Sequence, residues 1–275
     1  MNPNAQHKSS VIEMLRSVVH NRGLIFQMTK REVIGRYRGS MLGIAWSFFN
    51  PLVMLAVYTA VFSVVFQAKW GSGSGGKTEF ALVLFVGMIV HGVLAESMNN
   101  SPSLILRNVS YVKKVVFPLE TLPWVVMGST LFHALISVIV WLLFYVAVNH
   151  AVQWTVIFLP IVFIPLVLFS LGISWMLASL GVYLRDIGQM TGVLTTILLF
   201  MSPIFYPASR LPEPYQTIIY INPLTFVIEQ ARDVLMWGEV PNWGGLSIAF
   251  IVSLLTSWLG FVWFQKTRKG FADVL

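Results

Sequence analysis

The sequence predicts an all-α membrane protein. It is expected to have six transmembrane helices, an N-terminal interfacial amphipathic helix, and a re-entrant helical hairpin between spans five and six. Three observations carry that expectation. First, 56% of the 275 residues are hydrophobic and only 11% are charged, against about 25% charge in a soluble globular domain. A chain so poor in charge must be solvated largely by lipid. Second, six apolar stretches come near the roughly 20 residues a helix needs to cross a bilayer core. Third, the basic residues fall on alternate flanks of those stretches, as the positive-inside bias requires.

In chain order, residues 1–40 form a cytoplasmic N-terminus. Within it, residues 11–38 set Val11, Leu15, Val18, Val19, Ile25, Met28 and Val33 among basic residues. Such a stretch suits a helix lying in the interface, apolar side down and Lys/Arg toward lipid phosphates. Spans are expected at about 41–66, 80–98, 122–148, 155–183, 189–206 and 246–264. Asn50-Pro51 should bend the first, and Pro160 and Pro165 should kink the fourth or delay its start. Residues 101–118 make a basic cytoplasmic loop bounded by Pro102 and Pro118. Residues 207–245, with five prolines, are too polar to cross twice, yet hold two amphipathic stretches meeting at Asn222-Pro223. Non-helical backbone at membrane depth survives only when buried in protein or facing water, so two half-helices dipping back from the outer face are expected.

With both termini inside, 14 of the 18 basic residues lie on the cytoplasmic side. Lys69, Lys77, Arg210 and Arg232 remain outside. The net charge of +7 is thereby assigned to membrane orientation, and nucleic acid is not expected as a partner.

Several chemistries lack their residues. There are no cysteines, which removes disulfides and thiolate sites. The five histidines have no metal-ligand spacing, so no metal is expected. No cleavable leader is expected either, because residues 1–40 hold no apolar core. Residues Gly71-Ser72-Gly73-Ser74-Gly75-Gly76-Lys77-Thr78 match the phosphate-loop pattern, in which backbone amides and Lys hold phosphates and Thr holds magnesium. That use needs a strand before the loop and a soluble helix after it. Spans flank it here, on the outer side, so it is read as a Gly/Ser connector. His91 and His133 fall in or near spans, where an ionisable group is a functional candidate; a hydrogen bond to a neighbouring helix is the plainer role. Glu96 and Glu120, near span ends, suit capping or loop packing.

Tyr58, Phe62 and Phe66 recur at four-residue spacing on one face of the first span, and Phe200, Phe205 and Tyr206 gather at the end of the fifth. They read either as an interfacial aromatic belt or as a channel wall past which the C–H faces of sugars slide. Gly35, Gly39 and Gly43 permit close helix approach or a turn from interface into membrane. Arg31, Arg36 and Arg38 there can meet a phosphate or diphosphate, or serve as ordinary anchors.

Three separated motifs resemble one family. REVIGRYRGSMLGIAWSFFNPLVMLAVYTAVFSVVF at 31–66, KKVVFPLETLP at 113–123, and YLRDI, SPIFYP and INPLTFVIEQARDVL within 183–235 are similar to the membrane subunit of ABC-2 type polysaccharide exporters. The resemblance implies a homodimeric inner (plasma) membrane permease paired with two copies of a nucleotide-binding ATPase subunit. ATP and magnesium would sit on that subunit, with no cofactor on this chain. Its substrate would be an undecaprenyl-type lipid-linked polysaccharide, O antigen first, capsule or teichoic acid second. It further implies uptake of the lipid diphosphate at Arg31, Arg36 and Arg38. A conduit would be lined by Tyr58, Phe62, Phe66, Phe200, Phe205 and Tyr206. Coupling to the ATPase would run through Leu104, Ile105, Tyr111, Lys113, Lys114, Arg185 and Asp186, and an outer gate would form at Asn222 and Pro223. The competing readings are an ABC-2 drug or small-lipid exporter, a membrane-embedded glycan polymerase or glycosyltransferase, and a scaffold protein.

Overall fold

The computed structural model describes residues 10–65, 70, 77–113 and 117–275, and among them every regular element is helical. Five helices are long and apolar enough to cross a membrane: Gly43–Phe62, Thr78–Asn100, Leu119–Asn149, Trp154–Tyr183 and Trp243–Val274. The fifth predicted span differs. Its helix runs only Ile187–Phe200, 14 residues, or about 21 Å at 1.5 Å per residue, and then breaks into turns. Stretch 189–206 is therefore not one continuous helix.

Twelve α-helices are labelled in chain order: α1 Val11–His20, α2 Arg22–Tyr37, α3 Trp46–Tyr58, α4 Lys77–Asn100, α5 Val109–Lys113, α6 Leu122–Asn149, α7 Leu159–Tyr183, α8 Ile187–Phe200, α9 Glu213–Ile221, α10 Pro223–Arg232, α11 Trp243–Thr267 and α12 Phe271–Val274. At the centre lies α4, buried from Phe80 to Val86 and at Val90, Val93 and Leu94, with α3, α6, α7, α8 and α10 packed around it. The Trp141 indole N–H on α6 donates to the Leu82 carbonyl at 3.0 Å, which fixes the α4–α6 register. The tightest pairing is α7 with α11. There a Cβ on Gly260 would meet the Gly172 carbonyl, so backbones touch where both residues lack side chains.

Caps explain the boundaries. Ser10 Oγ accepts from the Glu13 amide at 3.2 Å and starts α1, as Asn242 Oδ1 does for α11 at 3.0 Å from Gly245. Pro160 delays α7 behind a 3₁₀ turn at Trp154–Phe158 and occupies its first turn, where no N–H is needed. Pro51 lies inside α3. The predicted single interfacial helix is two helices broken at Asn21. Ile12, Leu15 and Val19 on α1 and Phe26 and Ile34 on α2 are exposed, while Met14, Met28 and Val33 face the bundle. Helix α2 lies lengthwise on α6: Thr29 Oγ1 donates to the Val125 carbonyl at 3.5 Å, and two turns on, Arg36 reaches His133. Nothing lies within 4 Å of a Cβ built at Gly35, Gly39 or Gly43, and Gly39 (φ +85°) and Gly43 (φ +54°) hold left-handed backbone. Gly39 and Gly43 make the turn from α2 into α3 while Gly35 lies within α2, and among the described residues none of the three seats a second helix.

Candidate functional site

Where α2 ends against α4 and α6, three charged or polar side chains meet. Arg36 Nη1 lies 2.6 Å from Glu96 Oε1 and 3.0 Å from His133 Nδ1, and that same Nδ1 lies 3.0 Å from Glu96 Oε1. One ring nitrogen serves one partner at a time: protonated it donates to Glu96, unprotonated it accepts from Arg36. Tyr37 packs edge-on against the His133 ring at 6.1 Å. Burial raises its hydroxyl above the ordinary value, with Arg36 opposing, so it is neutral at pH 7.

This cluster forms one wall of a cavity of about 300 Å³ between α2, α3, α4 and α6. Its other walls include Asn50, Pro51 and Tyr58 of α3, Phe85 and Gly92 of α4, and Thr130 and Ser137 of α6. From Tyr58 aromatic contacts lead away from the charged cluster. Tyr58 meets Phe85 at 6.5 Å, Phe62 meets Phe80 at 5.6 Å and Phe205 at 5.8 Å, and Phe200 stacks on Phe205 at 5.7 Å. The Tyr206 hydroxyl donates to the Phe200 carbonyl at 2.7 Å and closes the end of α8. Three of the residues singled out from sequence, Phe62, Phe200 and Phe205, thus form one set of ring contacts, and Tyr58, one helical turn before Phe62, pairs with Phe85. Phe66 lies outside the described residues. Phe80 and Phe85 are the partners on α4, and no periodicity there marks them, because that helix is apolar all round.

The hairpin end is held by Arg232, only 3% exposed. Its guanidinium donates to the carbonyls of Val83 at 3.1 Å, Pro203 at 2.6 Å and Ile204 at 3.1 Å, and Trp70 lies over it at 4.3 Å. Burial lowers its pKa to about 9, with Glu229 and Asp233 opposing; at neutral pH it remains charged. Asn222 caps α10 through Oδ1, which accepts from the Leu224 amide at 3.0 Å, while its Nδ2 donates to Ser202 Oγ at 2.9 Å. Pro223 fills the first turn. The predicted gate pair therefore ties the hairpin to the end of α8.

At the other end, Arg31 Nη2 donates to the Tyr111 hydroxyl at 3.1 Å, and Tyr111 stacks on Phe117 at 4.5 Å. Arg31 and Tyr111, expected in separate roles, are directly joined. Arg38 is exposed at the turn after α2. Leu104 and Ile105, expected as contacts for another subunit, are 4% and 0% exposed. Segment 101–108 folds back into the bundle, with Pro102 against Gly181 and successive turn hydrogen bonds. Its outward face is Leu106, Arg107 and Ser110, continued by Lys113 and by Arg185 and Asp186 in the turn before α8. Lys114 lies outside the described residues. Glu120 receives Arg268 Nη1 at 2.6 Å, which ties the segment before α6 to the end of α11. His91 Nε2–H donates to the Thr195 carbonyl at 2.9 Å, a link between α4 and α8. Of the phosphate-loop look-alike at 71–78, residues 71–76 lie outside the described set while Lys77 and Thr78 open α4, and the elements on either side, Gly43–Phe62 and α4, are span-length helices.

A bundle of apolar, span-length helices around a cavity walled in part by charged side chains defines a multi-pass membrane protein, and comparison supplies its family. The family model for ABC-2 type transporters matches residues 23–236; the chain belongs to that family and is a multi-pass inner-membrane subunit of its transporters. It is 29% identical over 262 residues to the O-antigen export system permease protein RfbA of Klebsiella pneumoniae, covering 93% of this chain and 98% of that one. It is 26% identical to RfbA of Myxococcus xanthus, covering 96% and 99%. To the polysialic acid transport protein KpsM of Escherichia coli it is 22% identical, covering 87% and 92%.

Proposed function

We propose that this chain is the permease subunit of an O-antigen exporter. Two copies, paired with two copies of a separate ATPase subunit, carry a polysaccharide on an undecaprenyl-type diphosphate lipid out of the cytoplasm. The observation that carries this reading is similarity over nearly the whole chain to O-antigen export permeases, at 26–29% identity, against 22% for the polysialic acid protein. Both termini lie in the cytoplasm, the basic end faces the ATPase, and α8 with its following turns completes a sixth crossing. The hairpin of α9 and α10 dips back from the outer face. Arg31, Arg36 and Arg38 receive the diphosphate, and Tyr58, Phe62, Phe200 and Phe205 pass the sugars. Leu106, Arg107, Lys113, Arg185 and Asp186 take the push from the ATPase, with Leu104 and Ile105 anchoring the loop from beneath. Asn222 and Pro223 hinge the outer hairpin.

Flat aromatic faces suit a polymer because they grip C–H surfaces without demanding one hydroxyl pattern. Cells lacking this chain should lose surface polysaccharide while retaining its lipid-linked form inside, and the wild-type chain should restore export. The double variant Tyr58→Ala/Phe62→Ala should restore less than about a tenth of it at normal membrane abundance, since two half-buried aromatic contacts contribute of the order of 1 kcal/mol each. Undiminished surface polymer in the deletion strain contradicts the assignment. Loss of the lipid-linked form itself points instead to a polymerase.

A further inference from the structure

The cavity places a carboxylate where the proposed substrate must bind. Arg36 is the exposed member of its cluster, at 41% side-chain exposure against 22% for Glu96 and 15% for His133. Its guanidinium faces a space large enough for a small headgroup, at the lower end of the usual ligand-pocket range of about 300 to 1,000 Å³. Around that space stand neutral polar groups. Among them is Thr130, 1% exposed, whose hydroxyl has no hydrogen-bond partner. Yet its Nη1 is already paired with Glu96 at 2.6 Å, so an incoming anion that takes the end-on bidentate hold through both Nη groups of Arg36 must displace Glu96.

We infer that Glu96 is a displaceable counter-ion that sets a charge threshold on the headgroup site. The inference rests on the diphosphate-lipid reading above and adds to it a residue that decides specificity. The membrane around the cavity is crowded with phosphodiester headgroups bearing a single negative charge. A singly charged group gains little by replacing a carboxylate of equal charge already in place. A diphosphate carries more charge and more acceptor oxygens, and so wins the exchange. His133 is positioned to hold Glu96 after displacement, because Nδ1–H can donate to the carboxylate once Arg36 has turned to the ligand. Glu96 is thus a selectivity residue that acts through Arg36 and makes no contact with substrate.

The test uses the full chain in complex with its ATPase subunit, in phosphatidylcholine nanodiscs, with farnesyl diphosphate as probe and dioleoylphosphatidylglycerol as phosphodiester competitor. Wild-type complex should bind the probe with little sensitivity to the competitor. Glu96→Gln should bind the probe about tenfold more tightly, the scale of one charge-assisted hydrogen bond, and should become sensitive to phosphatidylglycerol. Glu96→Asp, too short to keep the pairing distance, should shift both readouts in the same direction by less; it decides the matter if Glu96→Gln yields no folded protein. Arg36→Ala should lose probe binding. Glu96 variants with wild-type affinity and wild-type insensitivity to competitor overturn the counter-ion role and leave the export reading intact. Absence of probe binding to the wild-type complex overturns the diphosphate reading itself.

Discussion

At the scale of single residues, the buried guanidinium of Arg232 sets the strongest constraint. It satisfies three carbonyls contributed by two segments, Val83 on α4 and Pro203 and Ile204 in the turns after α8. Each carbonyl left unpaired in a dry setting costs about 1–3 kcal/mol. Arg232→Ala should therefore destabilise the purified protein by at least about 3 kcal/mol, read as a lowered melting midpoint and premature proteolysis of the hairpin. Arg232→Lys should recover only part, because a compact ammonium cannot span three divergent acceptors. A wild-type melting profile for Arg232→Ala contradicts this account of the pin. Sequence alone counted Arg232 only as one of four basic residues on the sparse side, since its partners lie far along the chain. The same blindness applied to Arg36: its charge near the start of the first span was readable, but its partners, Glu96 and His133, come from other helices.

At the scale of elements, hydropathy and proline spacing revealed most of the architecture, because lipid leaves the backbone few options. Five spans, the late start of α7 and the meeting of two short helices at Asn222-Pro223 all follow from composition and backbone rules. The failures have physical causes as well. Stretch 189–206 carries no charge and its apolar residues continue past Phe200, so hydropathy could not register that the helix stops there, where Pro203 cannot continue it. The loop 101–118 is polar enough to read as exposed, yet Leu104 and Ile105 are folded beneath it. Of the two uses open to Gly35, Gly39 and Gly43, the turn into α3 is the one that Gly39 and Gly43 serve, while a close helix crossing lies at Gly172 and Gly260, which no short motif joins. Gly260→Leu should force α7 and α11 apart and cost about 1–3 kcal/mol by overpacking, lowering the melting midpoint and the yield of folded protein. Gly35→Ala, with open space around it, should leave both unchanged. Equal stability of the two variants contradicts the close crossing.

At the scale of the whole molecule, the fold joins three devices along the same helices. The basic end has an exposed face at Leu106, Arg107, Lys113, Arg185 and Asp186; the cavity lies where α2 meets α4 and α6; and the aromatic contacts lead on toward a hairpin pinned by Arg232. Helix α2 connects the first two, through Arg31 to Tyr111 and through Arg36 to Glu96, so under the proposed function a push on the loop would reach the cavity within one helix length. Such a machine converts another protein's ATP hydrolysis into movement of a polymer. The most direct test is reconstitution of the permease with its ATPase partner in sealed vesicles, following passage of diphosphate-lipid-linked O polysaccharide to the far side. The account predicts transport only when both subunits and ATP are present, with neither nucleotide hydrolysis nor transport by this chain alone. ATP splitting by the isolated chain, or polymer crossing without the partner, would contradict it.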